Sequence, residues 1–154
     1  MSIEKVKAYF REYGMEDQIL EFPVSSATVE LAAQALNCAP CRIAKTLSFM
    51  AGDRVVLVVT AGDARIDNPK YKAFFGVKAK MLTPEQALCL IGHGVGGVCP
   101  FAVNEGVEVW LDESLKRFET VFPAAGNAAS AVRLTPDELF ELAQAVKWVN
   151  IAKA

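Results

Sequence analysis

Long hydrophobic runs are missing from this sequence. Of its 154 residues 53% are hydrophobic, yet every apolar stretch is broken well short of the ~18 residues a membrane-spanning helix requires. An apolar targeting core is missing too: the first residues, Met1-Ser2-Ile3-Glu4-Lys5-Val6-Lys7, carry charge where a secretory signal would be greasy. These two absences make a membrane partner unexpected and a cytoplasmic location the default. Charge of one sign is not in excess either, because 16 basic against 18 acidic residues leave a net charge of -2. Broad polyelectrolyte binding is thereby excluded and DNA is not an expected partner, although a local basic patch remains open. No repeat, low-complexity tract or linker interrupts the chain. Its length suits one domain with a substantial core and is short for two, so residues 1–154 are read as a single domain.

Helices and strands alternate in what is present. Ile3, Val6, Phe10 and Tyr13 recur at helical spacing before Gly14, and Ile19 to Phe22 reads as a short strand closed by Pro23. A second helix runs from about Thr28 to Leu36, with Ser25, Ser26 and Thr28 competing to cap it and Asn37 near its end. After Pro40 comes a strand from Ile43 to Met50. Ala51-Gly52-Asp53 turns into Arg54 to Thr60, so continuously apolar that both faces must be covered. Pro69 to Phe75 forms a short helix, and Thr83-Pro84-Glu85-Gln86 opens another with a capping box. Strands are expected at Val107 to Leu111, more weakly at Glu119 to Phe122, and at Ala131 to Leu134. Thr135-Pro136-Asp137-Glu138 starts a last helix that turns Leu139, Leu142, Ala143 and Val146 to the core. The expected fold is α/β (mixed): a mixed β-sheet curled into a barrel, with flanking helices.

Lys45 is the most informative residue. A two-residue period puts it on one strand face with Ile43, Leu47 and Phe49, while Thr46 takes the other. An ammonium among large hydrophobes marks either a pocket wall or a strand edge from which the stem snorkels to water. The segment Gly92 to Phe101 holds four glycines in six residues, a run closed by Pro100. Such a backbone is free to take positive φ and to let a ligand approach its amides closely.

Other motifs read more plainly. Cys38-Ala39-Pro40-Cys41 has the spelling of a thiol-disulfide centre, but a helix precedes it and a strand follows, so no helix N-terminus activates the thiol. A zinc site drawing on Cys38, Cys41, Cys89, His93 and Cys99 lacks a second paired motif, and all four cysteines read as reduced core or turn residues. No metal and no cofactor are expected. Gly92, Gly94 and Gly97 match a dinucleotide fingerprint, but after a helix and before a proline the match is accidental. His93, the only histidine, reads as a solvated loop residue. Asn68 to Lys80 concentrates Lys70, Lys72, Lys78 and Lys80 among aromatics. The mixture suits phosphate contacts beside a stacking surface, or a helix with a solvated basic face, which the residues alone favour.

Ile43-Ala44-Lys45-Thr46-Leu47, Val55 to Val59 with Gly62-Asp63, Gly96-Gly97-Val98-Cys99-Pro100 and Ala125-Gly126-Asn127 together resemble the YbaK/ProX family, free-standing relatives of the editing domain of prolyl-tRNA synthetase. The resemblance covers nearly the whole chain. It implies a barrel-like mixed sheet and hydrolysis of the ester joining a wrong amino acid to the 3′ end of a tRNA. It further implies that Lys45 is the principal functional side chain, and that the loop of Gly96, Gly97 and Pro100 presents amides to the scissile carbonyl. Phe22 and Thr28 correspond to positions lining the aminoacyl pocket, with Thr46, Gly126 and Asn127 as further substrate contacts. Relatives commonly carry another residue at His93, which argues against it as a general base, and some have serine at Cys99, which argues against an acyl-forming thiol. Expected partners are the acceptor end of a mischarged tRNA and, as a candidate, an aminoacyl-tRNA synthetase. The alternative reading is a non-catalytic module that binds aminoacyl-tRNA or a nucleotide beside a synthetase.

Overall fold

A computed structural model of the protein describes residues 2–23, 28–94 and 98–153. The N-terminal helix α1 (Ser2–Glu12) stops before Gly14, whose φ of +70° a helix cannot continue. It leads to β1 (Ile19–Glu21). In α2 (Val29–Leu36) the Thr28 hydroxyl accepts the Leu31 N–H at 3.1 Å, and Asn37, at φ 54°, closes the helix in the left-handed region. The competing caps Ser25 and Ser26 lie outside the described residues.

The centre of the molecule is a hairpin of β2 (Ile43–Ala51) and β3 (Arg54–Ala61). Its two-residue loop starts with Gly52 at φ +66°, the residue a type II′ turn needs in that place. The loop pins the register, Ala51 opposite Arg54 and so on to Ala44 opposite Ala61. Then follow β4 (Arg65–Ile66), α3 (Asn68–Phe75), α4 (Pro84–Leu90), β5 (Glu108–Asp112), β6 (Phe122–Pro123), β7 (Ser130–Val132), α5 (Pro136–Leu142), β8 (Trp148–Val149) and β9 (Ala152–Lys153). Both capping boxes form, at Thr83 with Gln86 and at Thr135 with Glu138.

Five strands build the main sheet in the order β6-β2-β3-β5-β8, with β2 and β3 antiparallel and the other pairs parallel. β1 pairs with β7 and β4 with β9 in two small flanking sheets. The class is mixed α/β, as the alternation predicts; among the described residues the ladder does not close into a barrel.

Each face of β3 is buried, as its unbroken apolar run requires. Leu57, Val59 and Ala61 join Val6 and Phe10 of α1, Ile91, and Leu139 and Leu142 of α5 in the larger core. Val56 and Val58 pack on the other side with Phe49, Tyr71 of α3 and Trp110. A third cluster holds Ala32 and Ala33 of α2 against Ile43, Phe122 and Ala131.

Two expectations fail and three strands go unforeseen, for identifiable reasons. Val146 is exposed rather than core-facing, because α5 stops at Leu142 and Gln144 takes φ 51°. The strand expected over Glu119 to Phe122 shrinks to β6, though Val121 still bridges Leu134. Strands β4, β8 and β9 have only two residues each, too few to show a period.

Asp112, at the end of β5, ties the last strands to the sheet. Its Oδ1 accepts the N–H groups of Ile151 (2.9 Å) and Ala152 (3.1 Å), and Oδ2 accepts Ser114 N–H (2.9 Å). Buried main-chain donors left without partners are costly. Asp112→Ala should therefore lower unfolding stability by about 2–4 kcal/mol and Asp112→Asn, which keeps one acceptor, by less. Urea unfolding with an unchanged m-value checks this.

Candidate functional site

The third cluster and the free margin of β2 enclose a cavity of about 310 Å³. Its walls come from Val29 and Ala32 of α2, Ile43 to Ser48 of β2, the segment Met81 to Pro84, Ala87 of α4, Val98, Phe122, Ala124, Ser130 and Ala131. Most of these side chains are apolar, and the polar remainder is hydroxyls and one cation. Lys45 is the only charged side chain among the described lining residues.

Lys45 stands between Ile43, which belongs to the α2 cluster, and Leu47 and Phe49, which belong to the α3 side. The shared face read from the two-residue period is thus the observed one. Burial pulls the Lys45 pKa below the usual lysine range; Asp63 and Glu30 oppose that shift and Arg65 adds to it. Asp63 is held in turn by Arg117 through contacts of 2.5 and 3.1 Å, which keep its carboxyl below the ordinary range. Gly62 permits this layout, since a Cβ there would run into the Pro40 carbonyl and push the end of β3 away from the turn at Pro40–Arg42. Cys38, just before that turn, and Cys41, within it, are free thiols and are not among the described residues of the cavity wall.

The other sequence-derived residues take different places. Thr28 and Thr46 line the cavity with Lys45. Phe22 packs against the α2 cluster behind the wall. Gly126, at φ +107°, and Asn127, whose Oδ1 accepts Ala129 N–H at 2.9 Å, shape the bend whose flanking residues Ala124 and Ser130 reach the cavity. Pro100 is buried next to the segment that contributes Val98. Gly96 and Gly97 lie outside the described residues. Sequence reasoning missed the wall from Met81 to Pro84, Ser48 and Ser130. Met81 enters through a bridge to Phe49, a tertiary pairing with no local signal.

His93 is not the solvated loop residue its neighbours suggest. It is fully buried, with Nε2 2.7 Å from the Phe101 carbonyl oxygen and 3.6 Å from the Cys99 sulfur. Burial lowers its pKa and pushes the Cys99 thiol up to about 12. A neutral imidazole and a neutral, inaccessible thiol do structural work here. The lysines of 70–80 are all exposed. Lys70 Nζ is turned to Asn150 Oδ1 (3.2 Å) and the Ala152 carbonyl (3.4 Å), whereas Lys72 and Lys78 border a second cavity of about 450 Å³ with Asn68 and Pro69.

A mixed α/β domain with a small apolar pocket and one lysine in its wall is the class of protein that fold and site define. The profile of the aminoacyl-tRNA editing domain matches residues 24–142, and the chain belongs to that family. It is 49% identical to the uncharacterized protein YwhH of Bacillus subtilis (strain 168) over 99% of this chain and 98% of that one. It is 34% identical to a proline–tRNA ligase of Leuconostoc citreum (strain KM20) over 56% of this chain, a stretch that spans 15% of the ligase. The crystal structure of a protein proposed to be a trans-editing enzyme for prolyl tRNA synthetase superposes with a TM-score of 0.90 at 29% identity, covering 99% of this chain and 98% of that one.

Because burial disfavours the charged lysine, the fold is less stable with Lys45 protonated and gains stability as pH rises through its depressed pKa. Lys45→Met should leave the melting temperature at or above that of the parent at neutral pH and remove this part of the alkaline gain. Paired thermal melts across mildly alkaline buffers measure both.

Proposed function

We propose that the chain is a trans-editing hydrolase that deacylates mischarged aminoacyl-tRNA, with residues 1–154 acting as one editing domain. The observation that carries the reading is the cavity itself: about 310 Å³, at the lower end for small-molecule sites, apolar in its walls and with Lys45 as its one described charge. A space of that size suits an aminoacyl group. A half-desolvated ammonium at its wall attracts phosphate or carbonyl oxygen more strongly than one in water.

Family membership supports the same assignment, and the likeness to a proposed trans-editing protein extends over the whole fold. In this reading Lys45 holds the terminal nucleotide or the ester carbonyl. Thr28 and Thr46 contact the aminoacyl group from the cavity wall, Gly126 and Asn127 set the bend beside it, and Phe22 and Pro100 back the wall. Gly96 and Gly97 are assigned main-chain contacts from sequence alone. No protein nucleophile is invoked: Cys99 is buried and neutral, and hydrolysis needs only water, a polarised carbonyl and a leaving ribose oxygen. Lys72 and Lys78, with Lys70 and Lys80 nearby, form the surface offered to tRNA phosphates. A tRNA substrate implies action in the cytoplasm.

Single-turnover deacylation of a panel of mischarged tRNAs tests the assignment. Lys45→Ala and Lys45→Met should each lower the rate on the preferred substrate at least about tenfold, equivalent to roughly 1.4 kcal/mol of transition-state stabilisation, with the fold retained. Saturable binding with no turnover by the parent would point instead to a binding module. A Lys72→Ala, Lys78→Ala double variant should weaken tRNA binding and reduce the salt slope by about one unit per lost phosphate contact, leaving saturated turnover nearly intact. Binding isotherms at several salt concentrations give the slope.

A further inference from the structure

The cavity lies against a break in the main sheet. Along a strand, main-chain N–H and C=O groups address the two edges alternately. In β2 the Met50 N–H donates to the Lys80 carbonyl (2.9 Å) and the Ser48 carbonyl accepts the Leu82 N–H (3.1 Å), so even-numbered residues address the edge away from β3. Ala44 is paired on that edge with Pro123 of β6, where the β6 pairing ends. Thr46 falls between the two partners. Among the described residues no strand meets its outward N–H and C=O, and the residue lines the cavity. Its hydroxyl is buried without a hydrogen-bond partner as well. The hydroxyl is thus a buried polar group without a partner, of the kind native proteins nearly always pair, and among the described residues nothing is paired with the outward N–H and C=O of the same residue at the pocket wall.

We propose, resting on the editing function above, that the main chain of Thr46 reads the aminoacyl group as a one-residue strand. The substrate's α-amino group donates to the Thr46 carbonyl and its ester carbonyl accepts from the Thr46 N–H, completing the ladder between β6 and the segment at Leu82. The cavity's described walls offer the amino group no carboxylate, and the Thr46 carbonyl is an acceptor already aimed outward.

The pairing gives Thr46 a part in the chemistry. Water oxygen bonds to the acyl carbon, and the carbonyl electron pair moves onto the carbonyl oxygen, where the Thr46 N–H holds the developing charge. The tetrahedral centre then collapses, the carbon–oxygen bond to ribose breaks, and the ribose oxygen takes the proton the water gives up. One ester and one water become a free amino acid and an uncharged tRNA end. The donor comes from a rigid strand, which suits a stabiliser that must be in place beforehand.

Amide hydrogen exchange at residue resolution tests the proposal on the intact protein. In the free protein the Thr46 amide should exchange at least tenfold faster than those of Lys45 and Leu47, whose N–H groups address β3. The probes are tRNAs carrying amino acids through a non-hydrolysable 3′-amide, and for the tightest of them a twin lacking the α-amino group. Binding of the amino form should slow Thr46 exchange at least tenfold, and the twin should bind at least tenfold more weakly. Saturation with Thr46 exchange unchanged, or equal binding of the twin, overturns the proposal while deacylation of ester substrates leaves the editing function standing. If no ester is hydrolysed and no amide analogue binds, the editing function fails and this inference falls with it.

Discussion

Everything about the pocket depends on the register of one hairpin. The two-residue turn at Gly52 fixes Ala51 opposite Arg54, and that pairing decides the face of every later position along β2. A slip of one residue would carry Lys45 onto the side of the larger core, among the apolar side chains of Leu57, Val59 and Phe101. The same slip would turn the Thr46 main chain toward β3. β3 resists it because both of its faces are full: Val56 and Val58 fit against Phe49, Tyr71 and Trp110, while Leu57 and Val59 fit against α1 and α5.

A half-buried cation is a cost the fold bears at its site. Asp63 and Glu30 moderate the cost without cancelling it, since Asp63 is engaged by Arg117. Lys45 is therefore attracted toward acidic neighbours but, among the described residues, forms no close ion pair, and it keeps attraction for an incoming anion or carbonyl oxygen. The glycine at 62 belongs to this arrangement, because only a residue without Cβ lets the end of β3 approach Pro40 closely enough to set Asp63 there.

Much of this was legible in the sequence, for reasons that differ by element. Helices announced themselves through caps: Thr83 and Thr135 each form the full box that their spacing implies. β2 was readable because it is long enough to show a period, β3 because its apolar run is unbroken, and Lys45 because it interrupts an apolar face. The two-residue strands were not, since a period needs more than one repeat. His93 was misread because a run of glycines suggests solvent, whereas its ring is buried against the Phe101 carbonyl and the Cys99 sulfur, and Phe10 of α1 packs edge-on against Phe101. The residues quoted for the family resemblance pointed to Lys45 and Thr46. They gave no sign of the Met81–Pro84 wall, whose place depends on two hydrogen bonds with β2, the Lys80 carbonyl accepting the Met50 N–H and the Leu82 N–H donating to the Ser48 carbonyl.

An uncovered strand edge is ordinarily a hazard, because it offers another chain a template on which to polymerise. Here the uncovered stretch is three residues, Lys45 to Leu47, bounded by β6 on one side and by the Leu82 segment on the other. Among the described residues only one outward N–H and C=O pair, that of Thr46, is on offer in this stretch, at the wall of the cavity. A foreign strand, which must run past several residues to gain a ladder, meets β6 or Leu82 at either end of so short an opening. The width of the break therefore acts as a filter on molecular size, keeping the protein from assembling edge to edge while leaving the slot accessible to a group one residue long.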